Sequence, residues 1–178
     1  MSLRSRAVLS AGSNVGDSRG QLASVVAGFG DHVRAVSQVY ATAPWGGVEQ
    51  DDFLNITLIV EDTCEPMEWL RRGAELEQKA ARTRETRWGP RTLDVDVITV
   101  ETFGADGHGE SVISDDPVLT LPHPRAAQRA FVLIPWLEID PHATLWTPTG
   151  VRSVAELLAE LPADERDGVR VLGDEATR

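Results

Sequence analysis

Residues 52–61, DFLNITLIVE, alternate strictly. Leu54, Ile56, Leu58 and Val60 fall on one side, and Asn55 and Thr57 on the other. A period of two over ten residues is the signature of a half-buried strand, with one face in a core and one face left for polar work. The rest of the chain must supply what covers that apolar face. RAVLSA (6–11) reads as a first strand. Gly12 to Asp17 is a turn, with Asp17 the helix N-cap. Leu22, Val25, Val26 and Phe29 then recur at i, i+3, i+4 and i+7, one face of a helix that Gly30 ends. Residues 32–41 alternate more loosely as a second strand. TAPWGGVEQD (42–51) is a Pro- and Gly-rich loop, of the kind that serves as a lid. Thr63 reads as the cap of a second helix, with Pro66 in its first turn and its end near Ala81. A strand over 92–100 follows. The order β-α-β-β-α-β predicts an α+β chain of the ferredoxin-like kind, with two helices on a mostly antiparallel sheet. Many activities share that arrangement, so it decides no function.

Beyond the core, residues 101–117 are rich in Gly and Asp and read as an irregular surface insertion. Residues 125–139 have helical spacing, broken at Pro135. Ser153 caps a last short helix, and 166–178 is a polar tail expected to fray. There is no repeat and no linker, so a single domain over 1–178 is expected.

The formal net charge is −11, which disfavours nucleic acid and anionic membrane as partners. No apolar run approaches the roughly 18 residues of a membrane span. No signal peptide is visible and Cys64 is the one cysteine, so a reducing, cytoplasmic setting is expected. The charge is uneven, however. Residues 71–91 hold seven Arg or Lys against three Glu, a local excess of +4. Such a segment in an acidic chain suits a compact anionic ligand, although its helical part also reads as a solvated face.

That basic segment runs into RWGPRTLDVDVI (87–98). Residues i and i+2 of a strand share a face, so Asp94 and Asp96 lie together, with Leu93, Val95 and Val97 opposite. Two carboxylates that close repel unless a cation lies between them. Hard oxygen ligands, with other positions left to water and phosphate, describe a magnesium site. An exposed sheet face that merely solubilises the strand is the competing reading. Cationic side chains beside the pair favour a polyphosphate. Gly12-Ser13-Asn14-Val15-Gly16 could offer backbone N–H groups to an anion or be a plain tight turn; it lacks the Gly-Lys-Ser/Thr ending of a P-loop. Asn55 carries both donors and an acceptor for the edge of a heterocycle. Phe53 and Phe131 could stack on its faces or simply pack in the core. His123, held between Pro122 and Pro124, and Arg129 are candidate phosphate contacts. No Cys/His cluster has zinc spacing.

Together these residues resemble the 6-hydroxymethyl-7,8-dihydropterin pyrophosphokinase family, from about Val8 to about Pro141. The motifs are Gly12-Ser13-Asn14, Tyr40-x-Thr42-x-Pro44 with Gly46, Phe53-Leu54-Asn55, Arg87-Trp88-Gly89-Pro90-Arg91-Thr92-Leu93-Asp94-x-Asp96, and Pro122-His123-Pro124 with Arg129-x-Phe131. The resemblance implies transfer of pyrophosphate from ATP to a pterin hydroxymethyl group, with AMP leaving. It implies two Mg²⁺ ions held by Asp94 and Asp96, and Arg82 and Arg91 as catalytic cations. Glu77, Arg84, Trp88, Val97, His123 and Arg129 would line the ATP site. Thr42, Ala43, Pro44, Trp45, Phe53, Asn55 and Phe131 would hold the pterin. The partners implied are small molecules, with the chain acting as a monomer. Ala43, Trp45 and Phe53 depart from the residues common in the family, as does the longer insertion at 101–117.

Other classes fit less well. A non-catalytic nucleotide-binding regulatory module on the same scaffold would not need both aspartates. A single-stranded RNA binder would need a positive face and stacking aromatics on a strand. A glycosidase pair must flank its bond, whereas Asp94 and Asp96 stand on one side of any substrate.

Overall fold

The computed structural model describes residues 3–43, 52–82 and 93–173. Its centre is β1 (Arg4–Ser13), which pairs along its length with β4 (Phe53–Thr63) on one side and β5 (Asp94–Phe103) on the other. Both pairings are antiparallel. Between β1 and β4 come α1 (Ser18–Phe29), β2 (Val33–Val36) and β3 (Val39–Thr42); between β4 and β5 comes α2 (Pro66–Arg82). β6 (Gly109–Ser111) extends the β5 edge, and β11 (Val169–Gly173) covers the β3 edge, giving the order β11-β3-β4-β1-β5-β6. The β3-β4-β1-β5 core is the ferredoxin-like order expected from the sequence.

One face of the sheet packs on α1 and α2. Ala7, Leu9 and Ala11 of β1, Ile56, Leu58 and Val60 of β4, and Val95, Val97 and Val100 of β5 meet Leu22, Val25, Phe29 and Trp69 there. Trp69 is fully buried; its indole N–H donates to Ser5 Oγ at 2.9 Å, and its ring lies 6.1 Å from that of Phe29. The other face carries a second core, under α3 (Ala130–Ile139) and α4 (Val154–Ala159). It joins Val8 and Ile98 of the sheet to Val132, Leu133 and Trp136 of α3, to Leu145 of β9 (Thr144–Thr147), which pairs with β10 (Gly150–Ser153), and to Val154 and Leu157 of α4.

Several local expectations hold. Asp17 caps α1, its Oδ1 accepting from the Gly20 N–H at 3.0 Å; Gly30 ends it with φ +52°; and Ser153 caps α4 through the Glu156 N–H at 3.0 Å. Others are corrected. The second strand is two, β2 and β3, interrupted at Ser37–Gln38, where the Ser37 hydroxyl accepts the Thr57 N–H. Gly12 and Ser13 belong to β1 and not to the turn after it. Thr63 ends β4, and α2 begins only at Pro66. The 101–117 segment is not irregular throughout: β5 runs to Phe103, β6 pairs back on it, and β7 (Ser114–Asp115) pairs β8 (Thr120–Leu121). α3 runs unbroken through Pro135. That proline is buried in a helix that is apolar but for Glu138, where burial outweighs one lost backbone hydrogen bond. Residues 166–173 of the segment expected to fray are instead ordered, in the end of α5 (Ala163–Asp167) and in β11, which pairs with β3; residues 174–178 lie outside the described residues.

One side-chain link ties β3 to α3. The Tyr40 hydroxyl donates to Glu138 Oε1 at 2.5 Å, and the same carboxylate accepts the Gln38 N–H at 3.1 Å. Burial, then the bond to the Glu138 carboxylate, holds the phenol pKa well above its usual value. Tyr40→Phe should cost about 1–2 kcal/mol, the low end for a hydrogen bond to a charged group because Glu138 is exposed. Urea denaturation should show a lower midpoint with an unchanged slope.

Candidate active site

The face that α3 covers is apolar at one end of the strands and polar at the other. Strand register explains why. Gly12 stands opposite Asp94 on β5 and opposite Asn55 on β4, and Asn55 stands opposite Tyr40 on β3. Asp94, Gly12, Asn55 and Tyr40 thus form one row across four strands. Two residues along, Asp96, Ser10 and Thr57 form the next. Antiparallel partners project to the same side, so both rows present their side chains together. Further along the same face come Val8 and Ile59, which belong to the second core. The two aspartates therefore share a face, as the sequence indicates, with buried Val95 and Val97 on the other side.

Gly12 has a specific reason to lack a side chain. A Cβ there would come 2.8 Å from Asn55 Oδ1. The Asn55 amide lies across the glycine and is 4% exposed, and its Nδ2 donates to Thr42 Oγ1 at 3.3 Å. Gly12 is the floor on which that amide rests.

The β1–β5 ladder shifts register between Val8 and Leu9, leaving Ile98 as an extra residue on β5. A bulge turns a backbone group out of the ladder. Here the Ile98 carbonyl accepts the His123 N–H at 2.8 Å, which brings His123 beside the β5 aspartates. His123 Nδ1 in turn accepts the Arg125 N–H at 3.2 Å. From the start of α3, Arg129 Nη1 reaches to 3.5 Å from Asp96 Oδ2, and its guanidinium lies 5.5 Å from the centre of the Phe131 ring. The Ala130 N–H donates to Glu165 Oε1 at 3.3 Å, so α5 steadies this end of α3.

The structure thus gathers Asp94, Asp96, Asn55, Thr42, His123, Arg129 and Phe131 at the polar end of one face. Phe53 lies at the edge, opposite Thr42 and about one-third exposed; Ala43 is exposed. Two expected residues are not on this face. Val97 is buried in the core beneath α1 and α2. Glu77 projects from α2, and its Oε1 accepts the Val95 N–H at 2.7 Å, fixing the strand between the aspartates. Pro44, Trp45, Arg84, Trp88 and Arg91, together with the Arg82 side chain, lie outside the described residues. Sequence reading missed Ser10 and Glu138. Ser10 was accessible through strand parity with Gly12. Glu138 was not, because 98 residues separate it from Tyr40.

Among the described residues, no group of three or more His, Cys, Asp or Glu is placed to hold a metal. Two adjacent carboxylates nevertheless fit a hard divalent cation whose remaining ligands are water and phosphate oxygens, which is the magnesium habit.

Burial lowers the His123 pKa below the ordinary imidazole range; the Asp96 charge opposes this, and Arg129 and Arg125 add to it. A folded-state value below the unfolded one means that protonation opposes folding. The stability contributed by neutral His123 is complete above the unfolded pKa and is lost as pH falls through that value towards the depressed one. Proton NMR titration should find the His123 midpoint below that of a free imidazole. Asp96→Asn should lower it further and Arg129→Gln should raise it.

The chain matches the family described as 7,8-dihydro-6-hydroxymethylpterin-pyrophosphokinase over residues 8–141. It is 52% identical over 167 residues to the 2-amino-4-hydroxy-6-hydroxymethyldihydropteridine pyrophosphokinase of Mycobacterium tuberculosis (strain ATCC 25618 / H37Rv), covering 93% of this chain and 89% of that one. The Methylorubrum extorquens protein of the same name is 40% identical over 160 residues, covering 88% of this chain and 93% of that one. Among solved structures, wild-type Plasmodium falciparum HPPK-DHPS aligns with a TM-score of 0.62 at 12% identity. That alignment covers 90% of this chain and 45% of the Plasmodium chain, so this chain spans less than half of that longer protein. At such identity the likeness shows the fold alone. The match over residues 8–141 and the identity to these relatives show that the chain belongs to the 7,8-dihydro-6-hydroxymethylpterin-pyrophosphokinase family.

Proposed function

We propose that this chain transfers pyrophosphate from ATP to the hydroxymethyl group of 6-hydroxymethyl-7,8-dihydropterin, releasing AMP, as a step of folate biosynthesis. Family membership over most of the chain supports an ATP-dependent pyrophosphokinase. The observation that carries the site reading is the row Asp94–Gly12–Asn55. It sets a heterocycle-reading amide two strand spacings, about 10 Å, from a carboxylate pair on the same face.

In this reading Asn55 and Thr42 hold the edge of the pterin, and Phe53 and Phe131 offer ring faces. The hydroxymethyl oxygen is thereby directed towards the aspartate end of the row. It attacks the β-phosphorus of ATP, the bond from that phosphorus to the α,β-bridging oxygen breaks, and AMP departs as the hydroxyl proton is lost. Such a transfer needs in-line placement and neutralised charge more than it needs a protein base. Asp94 and Asp96 hold Mg²⁺, two ions in our reading. When bound, the metal neutralises phosphate charge and polarises the phosphoryl oxygens. Arg129 adds a fixed positive charge for phosphate, and burial keeps His123 neutral, able to donate one hydrogen bond without adding charge. Arg82, Arg84, Trp88 and Arg91 complete the nucleotide side, and Ala43, Pro44 and Trp45 the pterin side. Glu77 and Val97 act through the strand that carries the aspartates. In this reading the chain acts as a single-domain monomer on two small molecules. No helix among the described residues is long and apolar enough to cross a membrane.

Chromatography of nucleotides after incubation with ATP and Mg²⁺, with and without the pterin, tests the reaction. Pterin-dependent AMP without ADP is expected; ADP would overturn it. Asp96→Ala should abolish turnover and leave circular dichroism unchanged, because the side chain is 43% exposed. Gly12→Ala should displace the Asn55 amide and weaken pterin binding by about tenfold, roughly one lost hydrogen bond. ATP binding should be far less affected. Calorimetry with each ligand alone separates the two.

A further inference from the structure

Arg129 is placed where it must respond to any cation that arrives at Asp96. Its Nη1 lies 3.5 Å from Asp96 Oδ2, and its guanidinium carbon is 5.5 Å from the Phe131 ring centre. The side chain thus has two seats, a carboxylate and an aromatic face. Nothing in the helix start uses it, since Arg129 is the α3 N-cap residue and makes no side-chain cap hydrogen bond. Only a quarter of the side chain is exposed, against 43% for Asp96, so the charge cannot easily swing into water.

We propose that Arg129 is the built-in counter-ion of Asp96 in the nucleotide-free protein, and that it disfavours metal at the carboxylates until a polyphosphate draws it away. This rests on the reading that Asp94 and Asp96 hold Mg²⁺. A guanidinium within about 5 Å of a divalent ion, in a partly exposed setting, weakens metal binding by about tenfold or more. His123 does not replace it, because burial favours its neutral form. Phosphate oxygens attract the guanidinium more strongly than one shared carboxylate does, since they offer a bidentate dianionic partner. The Phe131 ring then keeps the freed cation close to the phosphates. Metal and nucleotide therefore bind cooperatively, and by linkage each raises the affinity of the other by the same factor. The consequence is economy of charge: Asp96 is neither left bare nor loaded with metal before substrate is present.

The test uses Mn²⁺ as the metal, with the free ion followed by electron paramagnetic resonance. It uses an ATP analogue with a methylene between the α- and β-phosphorus, which cannot transfer pyrophosphate. Without nucleotide, Arg129→Gln should bind Mn²⁺ about tenfold more tightly than wild type, and Arg129→Lys should stay close to wild type. With the analogue present, the advantage of Arg129→Gln should vanish or reverse. Equal or weaker Mn²⁺ binding by folded Arg129→Gln without nucleotide would overturn the proposal. Asp96→Asn, alone and combined with Arg129→Gln, separates this from the site reading. If it leaves Mn²⁺ affinity unchanged in both backgrounds, the carboxylate site itself is wrong. If it weakens Mn²⁺ while Arg129→Gln gives no gain, only the counter-ion role is wrong.

Discussion

The register of β1 against β4 and β5 places the aspartates and the Asn55 amide on one face. A slip of one residue in either ladder would turn Asp94 and Asp96, or Asn55, to the opposite face and drive Val95 or Ile56 out of the core. The register is held by burial. Ala7, Leu9 and Ala11 of β1 are completely buried against the α1 and α2 side, so the strand has no neutral alternative. The apolar face of the sheet thus fixes the chemistry on its polar face. The bulge at Ile98 refines this placement. It breaks the ladder at one point, and the freed carbonyl takes the His123 amide.

Much of this was readable from the chain because it is local. Alternation over 52–61 and 93–98 gave the strands and the shared face of the two aspartates. The helical spacing of Leu22, Val25, Val26 and Phe29 gave α1, whose buried residues include three of those four. What escaped was set by pairings between distant segments. VRVLG at 169–173 alternates too briefly and lies in too polar a stretch to announce a strand; it becomes β11 because β3 offers an unpaired edge. The Gly- and Asp-rich segment after β5 likewise gains β6 from an available edge. Pro135 argued for a break, yet α3 is buried on nearly every side and tertiary packing overrides the local preference.

The site itself divides in the same way. Strand parity on one segment linked Asp94 to Asp96. It could not link either to Asn55, because the row that joins them needs β1 between β4 and β5. The reason for Gly12 shows only when the Asn55 amide is seen to lie over it. Residue identity in the motifs carried the family resemblance well before the geometry gave each residue a reason. Glu77 illustrates the difference. The resemblance would place it in the ATP site, but its visible work is to hold the Val95 amide of the strand between the two aspartates.

α3 covers only part of the face it packs on, and that partial cover divides structure from chemistry. Over Val8 and Ile98 the helix excludes water and builds a core. At its other end, where Arg129 and Phe131 stand, the facing strand residues are Ser10, Gly12, Asp94 and Asp96, none of them able to bury a helix productively. A longer apolar stripe on β1 would have gained stability and closed this polar floor of the sheet. The Tyr40–Glu138 bond, the cap on α3 from Glu165, and β11 along the β3 edge supply other anchors around that end. The protein thus keeps a charged row beside a rigid core, because most of the ties among the elements around the row bypass its charged end. Groups that must exchange partners during turnover, Arg129 above all, can then do so without loosening the fold.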